Sequence, residues 1–176
     1  KVLYSTILIS SALYLFFISI TDLNNEKLKL SQKISHTAFS ILIISIILNS
    51  FFSEEVSINL KKGEEKQISK YLLKFENISK MEIDNFTSLK AEIHVIQNNN
   101  ELKFYPELRL YKVPETITSE ADIKTNLFSD NLVVVNYLKD TDYLNIRYQK
   151  KPFMLLIWLS AIMLAMGGLI GLRKNI

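Results

Sequence analysis

The sequence predicts an integral membrane protein, with three α-helical spans and one extracytoplasmic antiparallel β-domain, a sandwich or open barrel. Three observations carry this reading. Val2–Ile20, Ile34–Ser53 and Pro152–Leu172 are uncharged runs of 19, 20 and 21 residues, and a spanning helix needs ~20 mostly apolar residues to cross a hydrocarbon core ~30 Å thick. Lipid offers the backbone no hydrogen-bond partners, so such runs can only be helices. Between the second and third runs, the block Glu54–Lys151 carries fifteen Lys/Arg and sixteen Asp/Glu. Its apolar residues recur at the strand period of two.

Residues 1–20 form the first span. No small-residue cleavage site follows Ile20, where Thr21-Asp22-Leu23 stands, so this is not a signal peptide. The chain opens on Lys1 inside a spanning run, and reads as the interior of a longer polypeptide or one product of a split one. Residues 21–33 form a connector with Lys27, Lys29 and Lys33, and residues 34–53 form the second span, which contains His36. Residues 54–151 make the β-domain, 152–172 the third span, and 173–176 a tail with Arg173 and Lys174. By the positive-inside rule the connector and tail are cytoplasmic, which leaves the β-domain outside. Lys150 and Lys151 oppose this, but they end a segment too long for the rule to govern.

Within the block, Val56–Leu60 alternates before a turn at Lys61-Lys62-Gly63-Glu64, where glycine supplies the needed freedom. Gln67–Ile78 follows, with Ile68, Tyr71, Leu73 and Phe75 as core positions. Leu89–Gln97 turns Leu89, Ala91, Ile93 and Val95 inward, and Lys90, Glu92 and His94 outward. A turn at Asn98–Glu101 leads into Leu102–Tyr111, the partner strand of a hairpin. Pro114–Asn126 breaks the pattern and predicts one short helix, with Thr118 as N-cap and Ala121–Lys124 inside it. Leu132–Leu138 and Tyr143–Tyr148 form a second hairpin across Lys139–Asp142. Six or so short strands of this kind make a small sandwich or open barrel.

Composition narrows the function. The formal charge of +3 arises outside the nearly neutral block, with no basic cluster on one element, so nucleic acid is not the partner. The chain has no cysteine, which excludes thiol nucleophiles, Cys-ligated zinc and iron–sulfur centres from it. Four glycines without a glycine-rich loop give no phosphate cradle. No catalytic residue stands out, and this segment alone is not an enzyme of the soluble type.

Two places carry chemistry. His36 sits near the start of the second span with only uncharged residues after it. An ionisable group in a membrane segment marks a functional site by default, and neutral imidazole is an axial ligand for haem iron. It also lies within about one turn of the membrane edge, where a ring rests among lipid headgroups without any such role. The second place is the run Tyr105–Tyr111. At period two, Tyr105, Glu107, Arg109 and Tyr111 share one face, opposite Leu108 and Leu110, and Pro106 marks an edge or bulge. That face is either a docking surface for a partner or a solvated face with a weak ion pair. His94, on the polar face beside Glu92, reads as a solvated histidine. Trp158 reads as an interfacial anchor and Gly167-Gly168 as a close helix approach.

In order, the motifs resemble a known family. Tyr105-Pro106-Glu107-x-Arg109-x-Tyr111 is followed by Thr118-Ser119-Glu120-Ala121-Asp122-Ile123, by Asp130-x-Leu132, and by Arg147 and Lys151-Pro152-Phe153. Trp158 and Gly167-Gly168 stand in the closing span. Across Gln32–Lys174 this is similar to the C-terminal third of the CcmF family, haem lyase subunits of cytochrome c maturation. Ser35-His36 matches the Ala-His of that family's span before its external domain, although Thr37-Ala38 replaces the family's Leu-Gly. The resemblance implies that His36 is an axial ligand to haem b, opposite a second ligand that lies upstream of this chain in the family. It implies a part in covalent haem attachment to apocytochrome c, with other maturation subunits, a haem chaperone, apocytochrome c and membrane lipid as partners. It places the protein in a bacterial or mitochondrial inner membrane. The competing reading is a non-catalytic membrane-anchored scaffold whose β-domain binds partner subunits. A transporter fragment would need several intramembrane ionisable groups, and only His36 qualifies.

Overall fold

A computed structural model describes residues 2–98, 100–138 and 141–173, with side chains from Thr6 onward. Lys1, Asn99, Lys139, Asp140 and Lys174, each part of an expected span, turn or tail, lie outside the described residues. The chain divides into a helical unit and a β unit.

The helical unit holds α1 (Val2–Leu23), α2 (Leu30–Phe52) and α3 (Met154–Arg173). All three are long and apolar enough to cross a membrane, and this is a membrane protein. Their outer faces expose residues such as Tyr14, Phe17, Trp158 and Leu169, and lipid, unlike water, makes that exposure favourable. The two N-terminal helices run further than the uncharged runs did. Thr21–Leu23 continue α1 and Leu30–Lys33 begin α2, because helical hydrogen bonding does not stop where charge starts. Lys29 N–H donates to Gln32 Oε1 at 3.0 Å to cap α2. Lys33 Nζ donates to the Leu23 carbonyl at 2.8 Å at the open end of α1, where a cation suits the helix dipole.

Small residues line the seam between α2 and α3. A Cβ on Gly167 would collide with Ser35 Oγ and lie 3.2 Å from the Ser31 carbonyl, and one on Gly171 would lie 3.6 Å from Ser31. Gly168, by contrast, faces open space. The close approach therefore belongs to Gly167 and Gly171, spaced i, i+4, and not to the adjacent pair. Asn49 Nδ2 donates to the Pro152 carbonyl at 2.5 Å, tying the last turn of α2 to the start of α3.

The β unit contains ten strands among the described residues, in two antiparallel sheets. β1 (Glu54–Leu60), β10 (Leu144–Pro152), β9 (Ser129–Tyr137) and β8 (Asp122–Thr125) form one sheet in that order. β2 (Glu65–Ile68), β3 (Tyr71–Glu82), β4 (Phe86–Gln97), β6 (Glu107–Lys112) and β7 (Glu115–Glu120) form the other, with β5 (Asn100–Phe104) also paired to β4. The alternating residues of both sheets meet in one core. Ile58, Val133, Val135 and Ile146 come from the first sheet, and Leu73, Ile93, Val95 and Phe104 from the second. Tyr71 and Tyr148 pack edge to face at 4.9 Å. Burial first of all raises the pKa of both phenols, Tyr148 to about 12. Tyr71 Oη donates to Glu54 Oε2 at 2.8 Å. Although burial alone would raise the Glu54 carboxyl, its bonds from Lys70 and Tyr71 prevail and hold it below the usual carboxylate range.

Three expectations change here. No helix forms at Ala121–Lys124, and Thr118 caps nothing. Glu115–Glu120 and Asp122–Thr125 are β7 and β8, because Thr116, Ile117, Thr118 and Ile123 are β-branched and fit a pleated surface better than a helix. Gln67–Ile78 is not one strand but the β2–β3 hairpin, reversed at Ser69 and Lys70 with Ser69 at φ 54°. Leu102–Tyr111 is also split. β4 is long enough to take β5 along Ile93–Gln97 and β6 along Phe86–Lys90, and the break falls at Tyr105-Pro106, where proline cannot donate to a ladder.

Candidate functional site

His36 lies one and a half turns into α2, which puts it across from the last turn of α1. Its Nδ1 donates to Asp22 Oδ2 at 2.9 Å. Asp22 is an acid near the C-terminal end of a helix, where the dipole disfavours negative charge, so an imidazole partner offsets an otherwise unfavourable placement. The His36 side chain is 54% exposed, and Nε2 has no hydrogen-bond partner among the described residues. The ring stands at a groove of about 460 Å³ that α1, α2 and α3 all line. Leu15, Ile18, Phe39 and Leu164 supply its apolar wall, and Ser19, Ser35 and Ser40 its small polar patches. Ser19 Oγ donates to the Leu15 carbonyl and Ser40 Oγ to the Thr37 carbonyl, so both hydroxyls are satisfied within their own helices. The result is a mostly apolar recess with one ring nitrogen on offer and the other fixed by the Asp22 carboxylate, which also lines it.

Nothing in the sequence spacing singled out Asp22. It lies fourteen residues before His36, across a chain reversal, and by sequence it falls in the connector at residues 21–33. The signal available was an acid and a histidine facing each other across a short helix–helix connection.

His94 is not the solvated residue its strand parity predicts. It is buried, with Nδ1 2.5 Å from Glu101 Oε1 and Nε2 3.1 Å from Glu92 Oε1. The β4–β5 pairing lays Lys103 beside His94 and brings Glu101 within reach, which shields the ring. Both of its nitrogens are engaged, and no group of three or more His, Asp or Glu suited to a metal exists among the described residues.

The run Tyr105–Tyr111 forms a connected polar surface on the β unit. Arg109 Nε donates to Glu107 Oε2 at 3.3 Å, and Ser88 Oγ donates to the same oxygen at 3.2 Å. Arg109 lies 5.3 Å from the Phe86 ring centre, and Phe86 in turn packs on Tyr111 at 5.3 Å. The hydrogen bond with Tyr111 comes first among the contacts that raise the Arg109 pKa. Tyr105 N–H donates to Asp122 Oδ2 at 2.6 Å. A surface recess of about 370 Å³ is lined by Lys90, Tyr105, Glu107, Arg109, Glu120 and Asp122. Tyr105, Glu107 and Arg109 therefore meet at one recess, and Tyr111 stands beside it against Phe86. Glu120 and Asp122, which complete the recess, come from the segment expected to be helical.

A family model described as the CcmF C-terminal beta-sandwich matches residues 51–152. Among curated proteins, the chain is 30% identical over 140 residues to a cytochrome c-type biogenesis protein CcmF of Pseudomonas fluorescens, covering 79% of this chain and 21% of that protein. It is 25% identical over 137 residues to the CcmF of Escherichia coli strain K12, covering 77% of this chain and 21% of that protein. The chain thus spans about a fifth of the length of these relatives. A solved structure of a cytochrome c heme lyase CcmF superposes with a TM-score of 0.61 at 12% identity, over 80% of this chain and 24% of that one. At that identity the likeness speaks for the fold.

Proposed function

This chain belongs to the CcmF family, and from that premise we propose that it is the haem-binding C-terminal part of a membrane haem lyase acting in cytochrome c maturation. The observation that carries the reading is His36, with Nδ1 held by Asp22 and Nε2 free at an apolar recess between three membrane helices. Histidines that bind metal through one ring nitrogen donate the other to a carboxylate or carbonyl, which fixes tautomer and ring orientation. The donor set therefore fits a b-type haem. His36 Nε2 would bind its iron, and Leu15, Ile18, Phe39 and Leu164 would exclude water from one edge of the porphyrin. Bound there, such a haem would supply one-electron redox chemistry. Asp22 would fix the tautomer that leaves Nε2 with its lone pair and would aim the ring, and the α2–α3 seam at Gly167 and Ser35 would set the depth of His36 in the bundle.

The other histidine, His94, has both nitrogens engaged by carboxylates and is not available to such a haem. The β unit would lie on the periplasmic or intermembrane-space side by the positive-inside argument. Its recess at Tyr105, Glu107 and Arg109, mixed in charge and rimmed by aromatic side chains, suits the handling of apocytochrome or of other maturation subunits. The test is His36→Ala in the full-length protein, purified from cells making haem, with the visible spectrum recorded reduced and oxidised. Loss of the b-type bands is expected, and undiminished haem content would remove His36 from the mechanism. A full-length protein that is colourless before mutation would favour the scaffold.

A further inference from the structure

The turn Asn126–Ser129 joins two strands of the β unit, yet it clusters with the membrane helices. It is firmly built. The Asn126 side-chain carbonyl accepts from Phe128 N–H and Ser129 N–H, both at 2.9 Å, and Asn126 N–H donates to the Ser129 carbonyl at 3.0 Å. Turn tips ordinarily carry polar residues, but this one presents Leu127 and Phe128, 76% and 80% exposed. Its position relative to the spans is fixed by the backbone, since Phe153 N–H donates to the Phe128 carbonyl at 3.0 Å, one residue before α3 begins. Phe153 itself holds φ 62°, a conformation rare for a bulky residue, and it stacks edge-on to Phe52 at the end of α2 with centroids 6.3 Å apart. Phe51 and Phe52 at the end of α2 and Trp158 in the first turns of α3 are exposed as well.

From this we infer that the Leu127-Phe128 turn is a membrane-interface anchor that inserts into the headgroup boundary of the bilayer. The occupant is lipid because the turn continues the surface of the spans at the level where α2 stops and α3 starts. Phe51, Phe52 and Phe153 stand at that level with Leu127 and Phe128 on the turn, and Trp158 follows about one turn into α3. Aromatic side chains concentrate at this depth because their amphipathic rings suit the boundary between headgroup and chain. A turn pinned there with two large apolar side chains outward has its least costly surroundings in lipid. The assignment stands on the helical unit alone and does not depend on the haem reading.

The absence of cysteine makes the test direct. Leu127→Cys, Phe128→Cys and, at the polar α1–α2 connection, Asn25→Cys are each labelled with an environment-sensitive fluorophore in the full-length protein, with any cysteine outside this segment replaced by serine. Labelled chains are reconstituted into phosphatidylcholine nanodiscs with or without nitroxide-bearing lipid. It is the Phe128 carbonyl rather than its ring that holds Phe153, so the turn survives the substitutions, and two positions guard against the loss of one. Labels at 127 and 128 should emit to the blue of the label at 25, be quenched several-fold more by nitroxide lipid, and be several-fold less sensitive to aqueous iodide. Iodide quenching equal to that at 25, with no effect of nitroxide lipid, would overturn the inference. Shielding from iodide without nitroxide quenching would mark a protein surface in place of lipid, and overturn it equally.

Discussion

Asp22 and His36 show how one hydrogen bond can divide the roles of two ring nitrogens. With Nδ1 donating to Asp22, the neutral imidazole is left one lone pair, at Nε2, and the carboxylate holds the ring's orientation. Charge and geometry are separable here. Asp22→Asn keeps an oxygen for Nδ1 but removes the charge, whereas Asp22→Glu keeps the charge on a longer arm. On the proposed haem-binding reading, Asp22→Asn in the full-length protein should raise the haem midpoint potential and weaken haem retention ~10-fold or more, with Asp22→Glu recovering part of both. A potentiometric titration in which Asp22→Asn matches the parent would leave Asp22 no part in tuning the site. His94 offers the contrast. Its two nitrogens are closed off by Glu92 and Glu101, so the same side-chain type serves β-sheet packing.

Pairs of elements determine where these side chains stand. The α2–α3 seam is close because Gly167 and Gly171 carry no side chain opposite Ser31 and Ser35. A methyl at Gly167 has backbone as well as the Ser35 hydroxyl in its way, so the helices must separate near His36. Gly168, one residue on, faces open space. Gly167→Ala should therefore lower the thermal stability of the micelle-solubilised protein by ~1–3 kcal/mol, the usual cost of overpacking. Gly168→Ala should be neutral or slightly stabilising, since alanine favours a helix more than glycine does. Equal melting temperatures for the two variants would show that the seam yields freely. In the β unit the comparable device is β4, whose twelve residues serve β5 and β6 in succession. The change of partner at Pro106 is what brings Tyr105, Glu107 and Arg109 to one recess.

At the scale of the chain, two units are held by different forces. The helices satisfy their backbone internally and gain stability from an apolar surrounding, which urea weakens little. The β unit depends on a water-excluded core of two facing sheets, which urea dissolves by solvating apolar and peptide surface. A urea titration in micelles followed by far-UV circular dichroism should resolve two transitions. The β contribution and the near-UV tyrosine signal should be lost first, with the helical signal persisting to much higher urea. A single coincident transition in both signals would show that the units unfold as one.

The sequence by itself determined the spans, the β character of the block and the inward residues Tyr71, Leu73, Phe75, Ala91, Ile93 and Val95. Each follows from a local rule, whether run length against bilayer thickness or a period of two along a strand. His36 was legible as a candidate for the same reason, being one ionisable group in an apolar run. What only the tertiary structure decided are the pairings between segments distant in the chain. Asp22 meets His36, Glu101 buries His94, Glu120 and Asp122 complete the recess at Arg109, and the Phe128 carbonyl meets Phe153. Each depends on register, helix approach or strand order, and those are set by the packing of whole elements, which no spacing within a single segment encodes.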